Sequence, residues 1–188
     1  IQANHVESKK VFILYNCLDP NFISIEDLNT QSNAICSEWI HKPCMLTVSR
    51  LTKHDRYKGH TQVIHALARS RPQLPLLQYY IVGEGDLIPE LQHLCVQLDV
   101  ASAVHFLGQV DESILRTLYA QTDLFVMPSK GEGFGLVYLE AMAYGLPVIA
   151  STQDAAGEVV YHNKTGLLVD PDDITTLANS IVQLLTNN

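Results

Sequence analysis

DLFVMPSKGEGFGLVYLEAMAYGLPVIAS, Asp123 to Ser151, decides how this chain folds. DLFVMP is a short apolar run rich in β-formers, and PVIAS is another; their length and flanking turn residues predict buried strands. Between them GEGFG makes a turn from which GLVYLEAMAY winds as a helix, with Gly145 and Pro147 as stop signals. Three glycines fall within five residues, and a single acid, Glu140, interrupts the apolar helix.

The same pattern repeats outward. CMLTVS (44–49), QYYIV (78–82), AVHFL (103–107) and LLV (167–169) are further strand candidates. HTQVIHALARS places Val63, Ile64, Leu67 and Ala68 on one helical face, and DLIPELQHLCVQL does the same with Leu87, Leu91, Leu94 and Leu98. Alternating strand and helix predict an α/β fold: a Rossmann-like, doubly wound parallel sheet whose ligands lie at the carboxyl ends of its strands. A last helix is expected through ITTLANSIVQLL, with an acid of DPDD (170–173) as its N-cap; the alternative for these carboxylates is a metal site. Residues 1–43 fit less well. KVFILYN reads as one strand and Cys17 to Trp39 has weak periodicity, so this part is expected to be linker and the remnant of something larger.

The chain has 188 residues, 47% of them hydrophobic, enough for one buried core. Twelve Lys and Arg against 20 Asp and Glu give a net charge of -8, which argues against nucleic acid or an anionic membrane as a partner. Cys17, Cys36, Cys44 and Cys95 form no C-x-x-C pair and have no zinc-finger spacing, so free thiols in a reducing compartment are expected. No run approaches bilayer-spanning length and no signal peptide is evident, so the reading is cytoplasmic, with peripheral membrane association of a full-length enzyme left open.

Function should sit in the strand-to-helix loops. Glycine allows unusual backbone angles and a close ligand approach at Gly133 and Gly135, and the amides of Phe134, Gly135 and Leu136 point outward at the positive end of a helix, an anion site. Glu132 in the loop and Glu140 about a turn and a half into the helix are placed to face one crevice, where ionised carboxylates accept hydrogen bonds from sugar hydroxyls. RLTKHDRYKGH (50–60) holds Arg50, Lys53, Arg56 and Lys58, a third of the 12 basic side chains in 11 residues. It follows the first strand, so Arg50 and Lys58 emerge beside the glycine loop, placed to clamp a diphosphate. Lys53 and Arg56 read as solvated surface charges.

FVMPSKGEGFGLVYLEAMAYGLPVIAS resembles the E-x7-E signature of the retaining GT-B glycosyltransferases of family 4, with Glu132 and Glu140 as its acids. VSRLTKHDRYKGH, YIVGEGD, HFLGQVDE and TGLLVDPDD carry the resemblance from about Cys44 to the end, and FILYNCLDPNF is similar to the segment preceding the C-terminal domain, with Cys17 where glycine is usual. The resemblance implies the C-terminal half of a GT-B fold: residues 1–43 as tail of an N-terminal domain and interdomain linker, and 44–188 as the nucleotide-sugar-binding domain. It implies Arg50, Lys58 and Glu132 as catalytic groups, Gly83, Glu84, Gln109 and Val110 near the nucleotide, and Glu140 on the ribose. It also implies a UDP-, GDP- or ADP-linked sugar donor, no cofactor and no bound metal, transfer with retention, and an acceptor held mainly by an N-terminal domain.

No Ser or Cys partner motif accompanies any histidine; His54, His60, His65, His93 and His162 are expected in loops or on helix surfaces and His105 in a strand, none catalytic. A rival from another class is a non-catalytic nucleotide-sugar binding or regulatory module. An NAD-binding dehydrogenase domain is weakened because no G-x-G-x-x-G follows the first strand.

Overall fold

The computed structural model describes residues 17–19, 22–23 and 40–186. Six strands, β1 (Cys44–Val48), β2 (Gln78–Val82), β3 (Val104–Gly108), β4 (Leu124–Val126), β5 (Val148–Ser151) and β6 (Gly166–Val169), form one sheet in the order β3-β2-β1-β4-β5-β6. Every pair is parallel, with β1 lying between β2 and β4. The order reverses between β1 and β4, so the connections leaving these two neighbours diverge and open a crevice above their carboxyl ends.

Alternation along each strand builds the two faces. Met45, Tyr79, Ile81, Leu124, Val126 and Ile149 point to one side, against helices α1 (His60–Ser70), α2 (Ile88–Gln97) and α5 (Ile174–Thr186). Leu46, Tyr80, Val82, Phe125, Val148 and Ala150 point to the other, against α3 (Glu112–Gln121), α4 (Leu136–Ala143) and a 3-10 turn at Ala155–Glu158. Both faces are buried, as the near-continuous apolar strands require. Each fully buried large side chain, such as Tyr79 or Leu46, contributes about 1.5–3 kcal/mol. Thr47 is the polar exception at the centre of β1; its hydroxyl lies 2.8 Å from the Tyr79 hydroxyl and donates to the Val126 carbonyl.

The helix boundaries follow the sequence signals. α4 ends where Gly145 N–H donates to the Met142 carbonyl and Leu146 N–H to that of Ala141, the paired bonds of a glycine-terminated helix. Asp173 caps α5 by accepting from the Thr176 amide at 3.0 Å and the Thr176 hydroxyl at 2.6 Å. Its neighbours are also used locally: Asp170 accepts from the Asp172 amide and Gln153, and Asp172 pairs with Lys130. Of the three acids, Asp173 is the helix cap, and Asp170 and Asp172 are taken up by these other bonds.

Most of 1–43, including the strand expected at KVFILYN, and Cys36 lie outside the described residues. Within them, the Phe22 ring packs edge-on against Tyr144 with the Arg116 guanidinium 5.7 Å away. Cys17, Cys44 and Cys95 are free. No helix of the described residues is long and apolar enough to cross a membrane.

Candidate donor site at the sheet's switch point

The loop after β1 is zipped to the loop after β2: Ser49 N–H donates to the Val82 carbonyl at 3.0 Å and Leu51 N–H to that of Glu84 at 2.9 Å. This approach is why Gly83 is glycine. Its φ is +132°, and a Cβ there would lie 1.8 Å from the Ser49 carbonyl oxygen. Arg50 is thereby presented between the two loops.

Arg50, Gly83, Glu84, Gln109 and Val110, all singled out from sequence, line one cavity of about 370 Å³ with Val48, Ser49, Val82, Leu115 and Val137. Arg50 is mostly exposed, and its guanidinium is held 3.0 Å from the buried carboxylate of Asp55. Asp55 in turn accepts from the Thr52 hydroxyl at 2.5 Å, a bond that, with the Arg50 charge, keeps its carboxyl below the ordinary range. A buried, ionised Asp55 therefore aims the arginine.

Lys58 and Glu132 meet directly, the ammonium donating to Glu132 Oε1, and both side chains are largely buried. The contact spans the switch point, joining the loop after β1 to the loop after β4; Lys130 N–H reinforces it by donating to the Tyr57 carbonyl at 2.8 Å. Burial lowers the Lys58 ammonium from the ordinary lysine value, against the opposing pull of Asp55 and Asp154.

Glu140 is elsewhere. The Tyr119 hydroxyl donates to its Oε2 at 2.8 Å, and burial, with Glu140 next, pushes the phenol well up. Val137 and Glu140 lie three residues apart on α4, and Leu115 and Tyr119 four apart on α3. Val137 and Leu115 line the cavity, so the Glu140–Tyr119 contact continues its wall one turn further along each helix.

The glycine loop behaves as expected at one position and not at another. Gly135 is the N-cap of α4 with φ +80°, left-handed, and a Cβ would lie 2.5 Å from the Tyr138 ring. Gly133 has no such angle, and a Cβ there would meet nothing within 4 Å. The expectation of an unusual backbone at Gly133 is corrected: what glycine leaves there is open space. Beside it, Phe134 is half-buried and Leu136, at the start of α4, is exposed.

His60 also departs from expectation. It is buried, at 1% exposure, as the first residue of α1, with Nε2 2.8 Å from the Ser49 hydroxyl. Apolar periodicity in α1 begins at Val63 and carries no information about its first turn, where the loop after β1 folds back over His60. Burial, then the nearby Lys58 charge, depresses the imidazole to about 4. His54, His93 and His162 are exposed. His105 lies in β3, stacked on Tyr80 at 4.7 Å and bonded to Gln78. Lys53 and Arg56 lie on the surface but are not simply solvated: Arg56 pairs with Glu90 through both carboxylate oxygens at 2.5 Å, and the Lys53 amide donates to Asp86.

Asp55, Tyr119, Val137 and Asp154 were not legible as site residues. Their contacts with Arg50, Glu140, the cavity and Glu132 arise only in the fold.

Sheet order, parallel strands and a charged crevice at the switch point define a Rossmann-like α/β domain. Residues 42–187 match the family model described as Glycosyl transferases group 1, and the chain belongs to that family. It is 36% identical over 151 residues to the GDP-mannose-dependent alpha-(1-6)-phosphatidylinositol monomannoside mannosyltransferase of Mycobacterium tuberculosis, across 77% of this chain and 38% of that protein. It is 30% identical over 178 residues to the N-acetyl-alpha-D-glucosaminyl L-malate synthase of Bacillus anthracis, across 95% of this chain and 45% of that one. Among solved structures, HepE from Anabaena in complex with UDP and glucose superposes with a TM-score of 0.80 at 28% identity, covering 96% of this chain and 49% of that one. The chain thus spans between 38% and 49% of the length of these relatives. Its fold is the C-terminal half of the GT-B architecture; the C-terminal domain of the group 1 protein LpcC from Francisella tularensis matches with a TM-score of 0.67 at 26% identity, over 77% of this chain and 75% of that one.

Proposed function

We propose that the crevice binds the nucleotide-diphosphate sugar donor of a retaining glycosyltransferase, and that this chain alone binds donor without transferring sugar. The observation that carries the proposal is the Lys58–Glu132 pair across the switch point, beside the cavity to which Arg50 contributes. A buried ion pair stabilises a fold weakly, because desolvation cancels most of the attraction. It is well suited to partner exchange: an entering diphosphate takes Lys58 and leaves Glu132 free for sugar hydroxyls.

In this reading Arg50, Lys58 and the Phe134, Gly135 and Leu136 amides at the α4 N-terminus hold the diphosphate. Gly133 leaves room for it. Glu132 accepts from the sugar and Glu140 from the ribose, the Tyr119 hydroxyl keeping Glu140 oriented. Gly83 and Glu84 border the nucleotide, and backbone groups of Gln109 and Val110 meet the base. During transfer the bond between the anomeric carbon and the diphosphate oxygen breaks, the acceptor oxygen bonds to that carbon on the same face, and the acceptor proton passes to the leaving phosphate. Charge gathering on that phosphate is stabilised by Arg50, Lys58 and the helix N-terminus, with no metal required. The acceptor is held by a preceding domain. Relatives named for GDP-mannose or solved with UDP and glucose support a nucleotide-sugar donor and leave UDP, GDP and ADP as the candidates.

Titration calorimetry of this chain with UDP, GDP and ADP, first without metal and then with magnesium, tests the proposal. Saturable, metal-independent binding of one nucleotide is expected, without sugar transfer when the matching donor is supplied. Binding of none overturns the donor site, and efficient transfer by the chain alone overturns the division of labour.

A further inference from the structure

We infer that Asp154 is a positioning residue for Glu132: from the loop after β5 its carboxylate fixes the glycine loop after β4, and so sets the height at which Glu132 meets the donor's sugar. The inference rests on the donor-site reading above and extends it to a residue that need not touch the donor.

Two consecutive residues grip the Glu132 peptide from both sides. Asp154 Oδ2 accepts from the Glu132 N–H at 3.1 Å, and the Ala155 N–H donates to the Glu132 carbonyl at 3.4 Å. Asp154 Oδ1 meanwhile accepts from the Ala156 N–H at 2.9 Å, capping the 3-10 turn at Ala155–Glu158. Capping needs one oxygen; the second is committed to Glu132. Ser129, fully buried after β4, anchors the other end of the loop, its hydroxyl accepting from the Gly131 N–H at 3.2 Å, and it favours the charged form of Asp154.

The loop needs such an anchor. Gly131, Gly133 and Gly135 provide no side chains to pack, and the space beside Gly133 is empty for 4 Å, so ordering the loop is entropically costly. Without the tether, the Ala155 N–H still holds the Glu132 carbonyl, but Lys58 is the remaining hold on its side chain, and that hold is given up when the diphosphate arrives. Only a carboxylate serves both amides: asparagine offers one oxygen and would turn an N–H₂ donor toward the other N–H. Asp154 is half-buried, which raises its carboxyl, while Lys58 still favours its charged form.

The test separates capping from positioning. Asp154→Ser keeps an N-cap oxygen for Ala156 but cannot also reach Glu132. Dissociation constants are measured for UDP against UDP-glucose and for GDP against GDP-mannose, with wild type, Asp154→Ser, Asp154→Asn, Glu132→Gln and the Asp154→Ser/Glu132→Gln double variant. Expected for Asp154→Ser is affinity for the bare diphosphate within about twofold of wild type and a loss of about tenfold for the sugar nucleotide, the size of one charged hydrogen bond. Glu132→Gln should lose a similar amount, and the double variant little more, because the two act through one contact. Asp154→Asn, isosteric but with one acceptor oxygen for two amides, should lose at least as much sugar-nucleotide affinity as Asp154→Ser. Equal losses for diphosphate and sugar nucleotide, no loss for either, or additive losses in the double variant overturn the positioning role while leaving the donor site standing. A wild type that binds none of the four probes overturns the donor-site reading and this inference with it.

Discussion

The two ends of the sheet differ in what they gather. At the amino ends of β5 and β6, a cavity of about 410 Å³ is lined by Met142, Pro147, Asn163, Lys164 and Gln183 among others, and another of about 550 Å³ by Lys42, Pro43, Asp123 and Leu184. At the carboxyl ends the cavity is smaller, about 370 Å³, yet Arg50 lines it, and Lys58, Glu132, Asp55 and Asp154 stand in the adjoining loops. Room alone does not identify the site. At the amino edge the Lys42–Asp123 pair is exposed on one side and satisfied; at the carboxyl edge a cation and an acid are held together with most of their water removed. The second arrangement is the one that a charged ligand can reorganise.

That difference is sharpest at Lys58. Lys58→Met leaves Glu132 buried without its cation, and should lower diphosphate affinity by about 2–3 kcal/mol while costing the free fold on the order of 3 kcal/mol. Calorimetry and urea denaturation read the two separately. Lys42→Met at the opposite edge should leave nucleotide affinity unchanged; equal effects would erase the distinction between the ends.

The carboxyl edge should also respond to acid. Burial holds His60 at about 4, whereas its ordinary value is 6.5, so between these pH values the unfolded chain binds the extra proton. The His60 contribution is fully present above about 6.5 and is lost as pH falls toward 4, on the order of 3 kcal/mol across the window. Denaturation midpoints against pH should show the decline, and His60→Gln should flatten it. A slope unchanged by that substitution contradicts the burial of a neutral imidazole.

How much of this was legible before folding depends on range. The strands from Cys44 onward, the alternation, the Gly145 stop and a cap from within DPDD are local, each written in a few adjacent residues, and each appears as read. Arg50, Gly83, Glu84, Gln109 and Val110 reach one cavity because all follow strand ends, a position that the strand pattern gives. The Lys58–Glu132 pair spans 74 residues and the Glu132–Asp154 bond 22, and neither partner choice is encoded by local pattern. His60 was misplaced for the same reason: its burial comes from a loop folding back, not from helical period.

Smaller effects grade the two walls of the crevice. Arg50→Ala and Glu140→Ala should each weaken nucleotide binding by about 1.5–3 kcal/mol, and Arg50→Ala should also lower thermal stability, because it leaves the buried Asp55 carboxylate without its cation. Gln109→Ala should change affinity by less than about 0.5 kcal/mol, because its backbone rather than its side chain is proposed to meet the base. A larger loss at Gln109 than at Arg50, measured by calorimetry, would reverse the assignment of base and diphosphate ends.

The most direct test is to map where the diphosphate sits. Backbone amide shifts of the isotope-labelled chain, followed through titrations with UDP, GDP and ADP, should move at residues 50–58, 83–84, 109–110 and 131–140 for the nucleotide that binds, with residues 163–167 and 183–185 unmoved. Shifts confined to the amino-edge residues, with the carboxyl-edge loops unchanged, would contradict the account.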